Sequence, residues 1–320
     1  MDLSVIIVNW KSKEYLRKCI TSILAGTQGI EFEIVVIDNA SFDGCDEMLR
    51  GYHPQVRFIQ SERNLGFAKA NNAAFQTTCG RYVLFLNPDT ELVASAANII
   101  LKHLQELPNA GAVGCKVLNG DKTVQTSCVQ SFPTILNKLL NSELLRALWP
   151  KSSLWGNASL FDGNSGPVEV EAITGACVML KRSVFQQVDM FSEDYFMYTE
   201  DIDLSYKVRQ AGYRNYYVPD AQIIHFGGGS SRNAPDNFST VMMQESICRY
   251  FQKTRGNLYV SCYRALMLLS ALFRIATLAI MFPIACASNK ISSWSCSFKK
   301  WRTIFRWCLD MEVTKANVDS

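Results

Sequence analysis

The sequence predicts an α/β fold, a mostly parallel sheet flanked by helices, followed by a C-terminal helical segment that associates with membrane. Two observations carry the first half: over the first 117 residues short β-branched runs alternate with segments of helical period, and the first four runs each present an Asn, Asp or Arg in the turn that follows. A third carries the second half. The 320 residues hold 32 Lys and Arg against 29 Asp and Glu, yet from Arg249 onward 11 basic residues face only 3 acidic ones. A mildly acidic body with a strongly basic tail points to an acidic or phosphate-rich surface, membrane or nucleic acid, as the tail's partner.

Taken in order, strands are expected at Leu3–Val8, Phe32–Ile37, Val56–Gln60, Tyr82–Leu86 and Ala112–Val117. Between the first two, Tyr15, Leu16, Cys19, Ile20, Ile23 and Leu24 recur at helical period, and Gly26 comes next as a stop signal. A second helix is expected from Glu91 to Leu107, with Thr90 capping its start and Pro108 ending it. Residues 118–167, rich in Ser, Asn, Gly and Leu, read as a loop or insertion over the site. The pattern recovers with strands at Val168–Ile173 and Cys177–Leu180 and a helix from Asp203 to Gln210 closed by Gly212. Short strands at Tyr216–Val218 and Gln222–His225 precede the run Gly227-Gly228-Gly229, which reads as a lid that moves after ligand binding. Residues 1–250 form the α/β domain on this reading, and 251–320 a basic-aromatic helical tail.

Several chemistries are excluded. None of the 11 cysteines forms a Cys-x-x-Cys pair or a zinc spacing, so they read as buried small residues or free thiols of a reducing compartment. The chain opens directly into an apolar strand with no basic stretch ahead of it, which argues against a signal peptide. Neither a Gly-x-Gly-x-x-Gly turn nor a P-loop is present, so any bound phosphates must be neutralised in another way.

In parallel α/β sheets ligands bind beyond the carboxyl ends of the strands. Those ends deliver Asn9, Asp38 with Asn39, Glu62-Arg63-Asn64 and Asn87-Pro88-Asp89 to one edge. Asp89 is a candidate metal ligand, because Mg2+ or Mn2+ takes one or two protein carboxylates and completes its shell with phosphate and water. Asn-Pro-Asp is also an ordinary turn former. The acid cluster Glu200-Asp201-Ile202-Asp203 suits a general base for attack by an acceptor hydroxyl, but it equally suits the positive end of a helix. His225, one of three histidines, is either a satisfied strand-end residue or a second metal ligand that favours Mn2+.

Together these stretches resemble the family 2 glycosyltransferases, in particular bacterial rhamnosyltransferase-like members. The residues that carry the resemblance are Val5–Trp10, Val35–Ser41, Arg63–Ala68, Leu86–Asp89, Thr174–Cys177, Phe196–Leu204 and His225–Ser230, in family order over roughly residues 3–232. The resemblance implies a GT-A-type fold and an inverting, metal-dependent transfer of a sugar from a nucleoside diphosphate donor, with rhamnose from dTDP-rhamnose as the best match. It implies that Asp38 contacts the base or ribose and that Asn64 and Gly66 line the nucleotide pocket, to which the strand-end reading adds Asn9 and Asn39. It makes Asp89, in the element Asn87-Pro88-Asp89, and His225 the ligands of a Mg2+ or Mn2+ ion, and Asp201 the general base. Two departures stand out: Asn87 replaces the first acid of the usual Asp-x-Asp, and Asn71 stands where many members carry a nucleotide-binding Arg, leaving Arg63 or Lys69 to supply that charge.

The tail contains a nearly continuous apolar stretch, Ala265–Ala287, interrupted by Arg274 and Pro283. Its length of about 23 residues suffices to span a bilayer, but an Arg near the middle is costly there. The residues beyond it, from Lys290 through Trp294, Phe298, Lys299, Lys300, Trp301, Arg302, Phe305 and Arg306 to Trp307, describe a helix lying among headgroups. Surface association is therefore expected over spanning, with a plain core helix as the third reading and no nucleic acid as partner. The implied partners are the nucleotide-sugar donor, a lipid-linked glycan acceptor and the cytoplasmic face of the inner (plasma) membrane, where the protein would sit peripherally. An oligomer is compatible with all of this. The reading from another class is a catalytically silent relative that binds nucleotide sugar or scaffolds a polysaccharide assembly complex.

Overall fold

A computed structural model describes residues 1–125, 128–140, 166–227, 238–288 and 291–310. The chain runs β1 (Leu3–Asn9), α1 (Lys13–Gly26), β2 (Phe32–Asp38), α2 (Cys45–Tyr52), β3 (Arg57–Gln60), α3 (Gly66–Phe75), β4 (Tyr82–Leu86), β5 (Thr90–Val93), α4 (Ala96–Glu106) and β6 (Ala110–Leu118). It continues β7 (Val129–Gln130), α5 (Ile135–Leu139), β8 (Val168–Val170), β9 (Ala172–Ile173), β10 (Cys177–Lys181), α6 (Arg182–Gln187), α7 (Glu200–Gln210), β11 (Arg214–His225), α8 (Phe238–Arg255), α9 (Asn257–Ala287) and α10 (Ile291–Cys308). These elements gather into two compact units, Met1–Phe132 with Ser142–Asn233, and Pro133–Asn141 with Ala234–Ser320.

The first unit is built on a nine-stranded sheet of order β3-β2-β1-β4-β10-β6-β11-β5, with β8 added to β11. β1 to β4, β6 and β11 point one way; β5, β8 and β10 run against them. β1 is covered on both faces, every residue from Leu3 to Asn9 being buried, which is why it reads as an unbroken apolar run. The chain places β2 and β3 on one side of β1 and then crosses to put β4 on the other. That reversal opens a crevice at the carboxyl ends of β1 and β4. Asn9 lies level with Asp38, and Asp38 with Gln60, so the polar residues that end these strands share one edge.

The structure corrects several expected boundaries. Thr90 caps no helix: Thr90–Val93 is strand β5, paired antiparallel with Gln222–His225, and the helix begins only at Ala96. Pairing with β11 outweighs the helical spacing of Leu92 and its neighbours. Gly26 is the last residue of α1 rather than its stop, and Thr27 closes the helix with its N–H on Ile23 O. Val168–Ile173 is two strands, with β8 in the large sheet and β9 paired instead with β7. Tyr216–Val218 and Gln222–His225 are parts of one long strand, β11, whose register slips between Val218 and Gln222 around Pro219. Helices α2 and α3 had no counterpart in the sequence reading. Most of the expected insertion over the site, and Gly228 and Gly229 of the expected lid, lie outside the described residues.

In the second unit α9 and α10 form an antiparallel hairpin. Trp294 Nε1–H donates to Leu278 O at 2.8 Å, Trp301 lies 4.4 Å beneath the Arg274 guanidinium, and Trp307 lies 5.1 Å from that of Arg264. α9 continues through Pro283, four residues before its end.

Gly80, just before β4, sits against the β1 backbone: a Cβ there would lie 2.5 Å from Ser4 N and 2.7 Å from Leu3 C. Gly51, in α2, has nothing within 4 Å of its Cβ position. Gly80→Ala is expected to lower stability by about 2 kcal/mol or more in a denaturant titration, and Gly51→Ala to leave it unchanged or raise it by up to ~1 kcal/mol. Equal effects would refute the close approach of the two strands.

Candidate functional site

The first part of the site is the rim formed by β1, β2 and β3. Asp38 is fully buried, and Asn9 Nδ2 donates to its Oδ1 at 2.7 Å. Gln60 Nε2 reaches Oδ2 at 2.9 Å, the Ser41 and Phe42 N–H groups do so at 3.0 and 3.2 Å, and the Ser41 hydroxyl bonds Oδ1. Burial by itself would raise the Asp38 pKa; the bonds from Ser41, Gln60, Asn9 and Phe42 outweigh it and hold the carboxyl below the usual range. Beside it Asn39 Nδ2 donates to Asn64 Oδ1 at 2.7 Å, while Asn39 Oδ1 and Asn64 Oδ1 accept the N–H groups of Leu65 and Gly66 at 2.8 and 3.0 Å. The two amides thus fold the turn that starts α3. Gly66 there has φ +76°, and a Cβ would press on the Phe196 backbone and lie 2.9 Å from its ring. No other residue type fits both demands. Asn9 Oδ1 is buried with no hydrogen-bond donor among the described residues, an acceptor left over for a ligand.

The second part lies where β4 ends. Asp89 is buried, and its Oδ1 is 3.2 Å from His225 Nε2, across the β5–β11 pairing that matches Thr90 with His225. Asn87 Nδ2 is 3.5 Å from the same nitrogen. Gln125 grips His225 from behind: its Oε1 lies 3.0 Å from Nδ1, and its Nε2 donates to the His225 carbonyl at 3.0 Å. An amide oxygen only accepts, so Nδ1 donates to Gln125, and Nε2 is the ring nitrogen that faces Asp89. A carboxylate and an imidazole nitrogen at this separation fit a divalent cation that draws its remaining ligands from phosphate and water. Asp38, Asp43 and Cys45 also bring ligand atoms within 4.8 Å of one another. There, however, the Asp38 oxygens are taken by donors and burial pushes the Cys45 thiol far up, so that group fits a metal less well.

The third part is the acid turn before α7. Tyr198 and Thr199 both adopt left-handed backbone, each at φ +70°, a conformation that non-glycine residues hold only when their surroundings impose it. Phe67 N–H donates to Phe196 O at 2.9 Å, tying this turn to α3. Asp201 accepts the Gly175 and Ile202 N–H groups at 2.8 and 2.9 Å, and Ala176 O accepts the Asn87 N–H at 3.0 Å. Two consecutive residues of the β9–β10 turn therefore bridge Asp201 to the end of β4. Asp203 instead points back, accepting from Ser192 at 2.6 Å and Tyr195 at 3.3 Å. Glu200 is buried, and its Oε2 has no hydrogen-bond partner among the described residues. Burial, and then the neighbouring charges of Asp201 and Asp203, push its pKa up to about 8.

The structure thus brings Asn9, Asp38, Asn39, Asn64, Gly66, Asn87, Asp89, Asp201 and His225 to one edge of the sheet. Arg63 and Lys69 are exposed and form no ion pair among the described residues; the helical period of α3 turns Lys69 away while Ala68, Ala70 and Asn71 are buried. Asn71 donates to Phe67 O at 3.0 Å and so serves its own helix. Sequence reasoning missed Gln125, which lies in an irregular stretch, and the distinct environments of the three clustered acids, which burial alone decides.

Comparison with solved structures defines the fold. The fold aligns with a mannosyltransferase of Pyrobaculum calidifontis, solved in complex with GDP-Man and Mn2+, at TM-score 0.55 and 17% identity over 97% of this chain and 84% of that one. It aligns with GalNAc-T7, solved with UDP, GalNAc and Mn2+, at TM-score 0.59 and 15% identity over 98% of this chain and 56% of that one. The architecture is of the GT-A type. The profile of Glycosyl transferase family 2 matches residues 4–188, more than half of the chain, and the protein belongs to that family. It is 28% identical over 247 residues, 73% of this chain and 78% of the relative, to the N-acetylglucosaminyl-diphospho-decaprenol L-rhamnosyltransferase of Mycobacterium tuberculosis. It is also similar, at 26% identity over 72% of this chain and 85% of the relative, to the rhamnosyltransferase WbbL of Escherichia coli.

Glu200 makes a prediction of its own. Its folded pKa of about 8 lies above the ordinary 4.5, so across that window the unfolded chain releases a proton that the folded chain keeps, and stability falls as pH rises. Glu200→Gln is expected to be more stable than wild type above pH 8, by on the order of a few kcal/mol, and equal to it near pH 4. Thermal melts at the two pH values check this; a difference independent of pH would show that the carboxyl is ordinary.

Proposed function

We propose that the protein transfers a sugar, with inversion, from a nucleoside diphosphate donor to a hydroxyl of a lipid-linked glycan in cell-surface glycan assembly. What supports this reading is that Asp201 is bonded to Gly175, whose neighbour Ala176 is bonded to Asn87 at the end of β4, where Asp89 and His225 stand 3.2 Å apart. The similarity to the mycobacterial and E. coli rhamnosyltransferases supports L-rhamnose, carried on dTDP, as the donor sugar, and a polyprenyl diphosphate glycan as the acceptor.

On this reading Asp38 and Asn9 receive the nucleoside, with Asn39, Asn64 and Gly66 shaping the turn beneath it. Asp89 and His225 would hold a divalent cation, Mg2+ or Mn2+, which would supply positive charge opposite a departing diphosphate. Gln125 fixes the histidine tautomer that this requires. Asp201 takes the proton from the acceptor hydroxyl as its oxygen attacks the anomeric carbon; the bond to the donor phosphate breaks on the opposite face, and the diphosphate leaves with the electron pair. Glu200, neutral at physiological pH, adds no second charge next to that base. The basic tail keeps the enzyme peripherally on the cytoplasmic face of the membrane, where a lipid-linked acceptor is reached.

Asp201→Asn is expected to reduce acceptor-dependent release of nucleoside diphosphate by about a thousandfold while retaining donor binding. Normal turnover would remove Asp201 as base, and donor binding without release by wild type would favour the scaffolding role. Asp89→Ala should abolish Mn2+-dependent donor binding, and Gln125→Leu should weaken Mn2+ binding, read by isothermal titration, by about 10- to 100-fold. Unchanged Mn2+ affinity in both would remove the metal from this place.

A further inference from the structure

In the second unit the most apolar of the described helices is turned inside out. α9 buries Tyr263, Met267 and Ala271 against its neighbours, yet its other side carries Leu258, Leu266, Leu269, Phe273 and Ile280 at helical spacing, all exposed. Phe273 is 73% and Ile280 79% exposed, and only 11% of the helix's most apolar window is buried within the described residues. A core helix would be mostly covered. The two charges of α9, Arg264 and Arg274, are spent inward. Arg264 Nη2 donates to Trp307 O and Cys308 O at 3.1 and 3.3 Å, and Arg274 Nη2 to Leu139 O at 3.1 Å. The arginine that argued against a spanning helix in the sequence therefore faces the unit's own interior, and the outer stripe is free of charge along a helix of about 46 Å.

We infer that the uncharged outer face of α9, rather than the aromatic residues of α10, is the surface that enters the apolar boundary of an anionic membrane. The tryptophans of α10 are engaged with α9, through Leu278 O, Arg274 and Arg264, and so are not the lipid anchors their spacing suggested. What α10 offers outward is charge: Lys299, Lys300, Arg302 and Arg306 are exposed. Across residues 238–310 ten Lys and Arg stand against Glu245 and Asp310 alone. A protein partner would meet a polar rim around an apolar centre. An elongated charge-free stripe backed by a strongly basic surface matches instead an interfacial helix held to anionic headgroups.

This assignment rests on the membrane reading, and one experiment separates the two. The full chain is floated with vesicles of phosphatidylcholine alone and of equimolar phosphatidylcholine and phosphatidylglycerol. Wild type is expected to float with the anionic vesicles. The doubly substituted Leu269→Glu, Phe273→Glu protein should lose binding by at least about tenfold with unchanged circular dichroism, whereas Trp301→Leu should keep it. Lys299→Glu with Lys300→Glu should weaken binding to the anionic vesicles only. If wild type does not float, membrane association itself fails. If wild type floats and the Leu269, Phe273 variant floats equally, only the assignment to α9 fails. If sedimentation in lipid-free buffer shows a wild-type dimer that this variant converts to monomer, the face belongs to a second copy of the chain and the proposal is overturned.

Discussion

The site depends on three hydrogen bonds from main-chain N–H groups that fasten the acid turn to the sheet and to α3: Gly175 N–H to the Asp201 carboxylate, Asn87 N–H to Ala176 O, and Phe67 N–H to Phe196 O. Each is worth only about 1 kcal/mol net, but together they fix where a carboxylate from the start of α7 stands relative to the ends of β1 and β4. The strained backbone at Tyr198 and Thr199 and the lack of room for a side chain at Gly66 are the local costs of that fastening. Because the fastening uses main-chain groups, the substitutions that disturb it most are those at glycine and at Asp201 itself.

Charge in the site is sorted by environment rather than by residue type. Asp38 and Glu200 are both buried carboxyls, yet hydrogen bonds from four residues keep the first ionised while the second, without a comparable set of donors, holds its proton to about pH 8. Asp203, one helical step on, is consumed by Ser192 and Tyr195. A cluster that looks like three equivalent acids in sequence is therefore one structural acid, one neutral neighbour and one carboxylate held at the sheet edge.

That sorting marks the limit of what was legible beforehand. The strand ends were readable because central parallel strands are apolar on both faces and stop abruptly at polar residues, as Val8-Asn9, Ile37-Asp38 and Leu86-Asn87 do. Thr90–Val93 was misread because its apolar residues fit a helix as well as a strand, and only the distant Gln222–His225 decides between them. Gln125 was invisible: nothing local distinguishes a glutamine in a loop from one that grips a histidine 100 residues away. The tail was read correctly as apolar and basic, but which helix faces outward is set by packing, since Arg264 and Arg274 change meaning once their partners are known.

The central claim is that a single metal-and-base site sits at the crevice between β1 and β4. Anomalous diffraction at the manganese edge, from crystals grown with a nucleoside diphosphate sugar and Mn2+, tests it most directly. A peak between Asp89 and His225, with the donor's anomeric carbon facing Asp201, is the result the account predicts. A peak at Asp38, Asp43 and Cys45, or a donor bound away from Asp201, would contradict it.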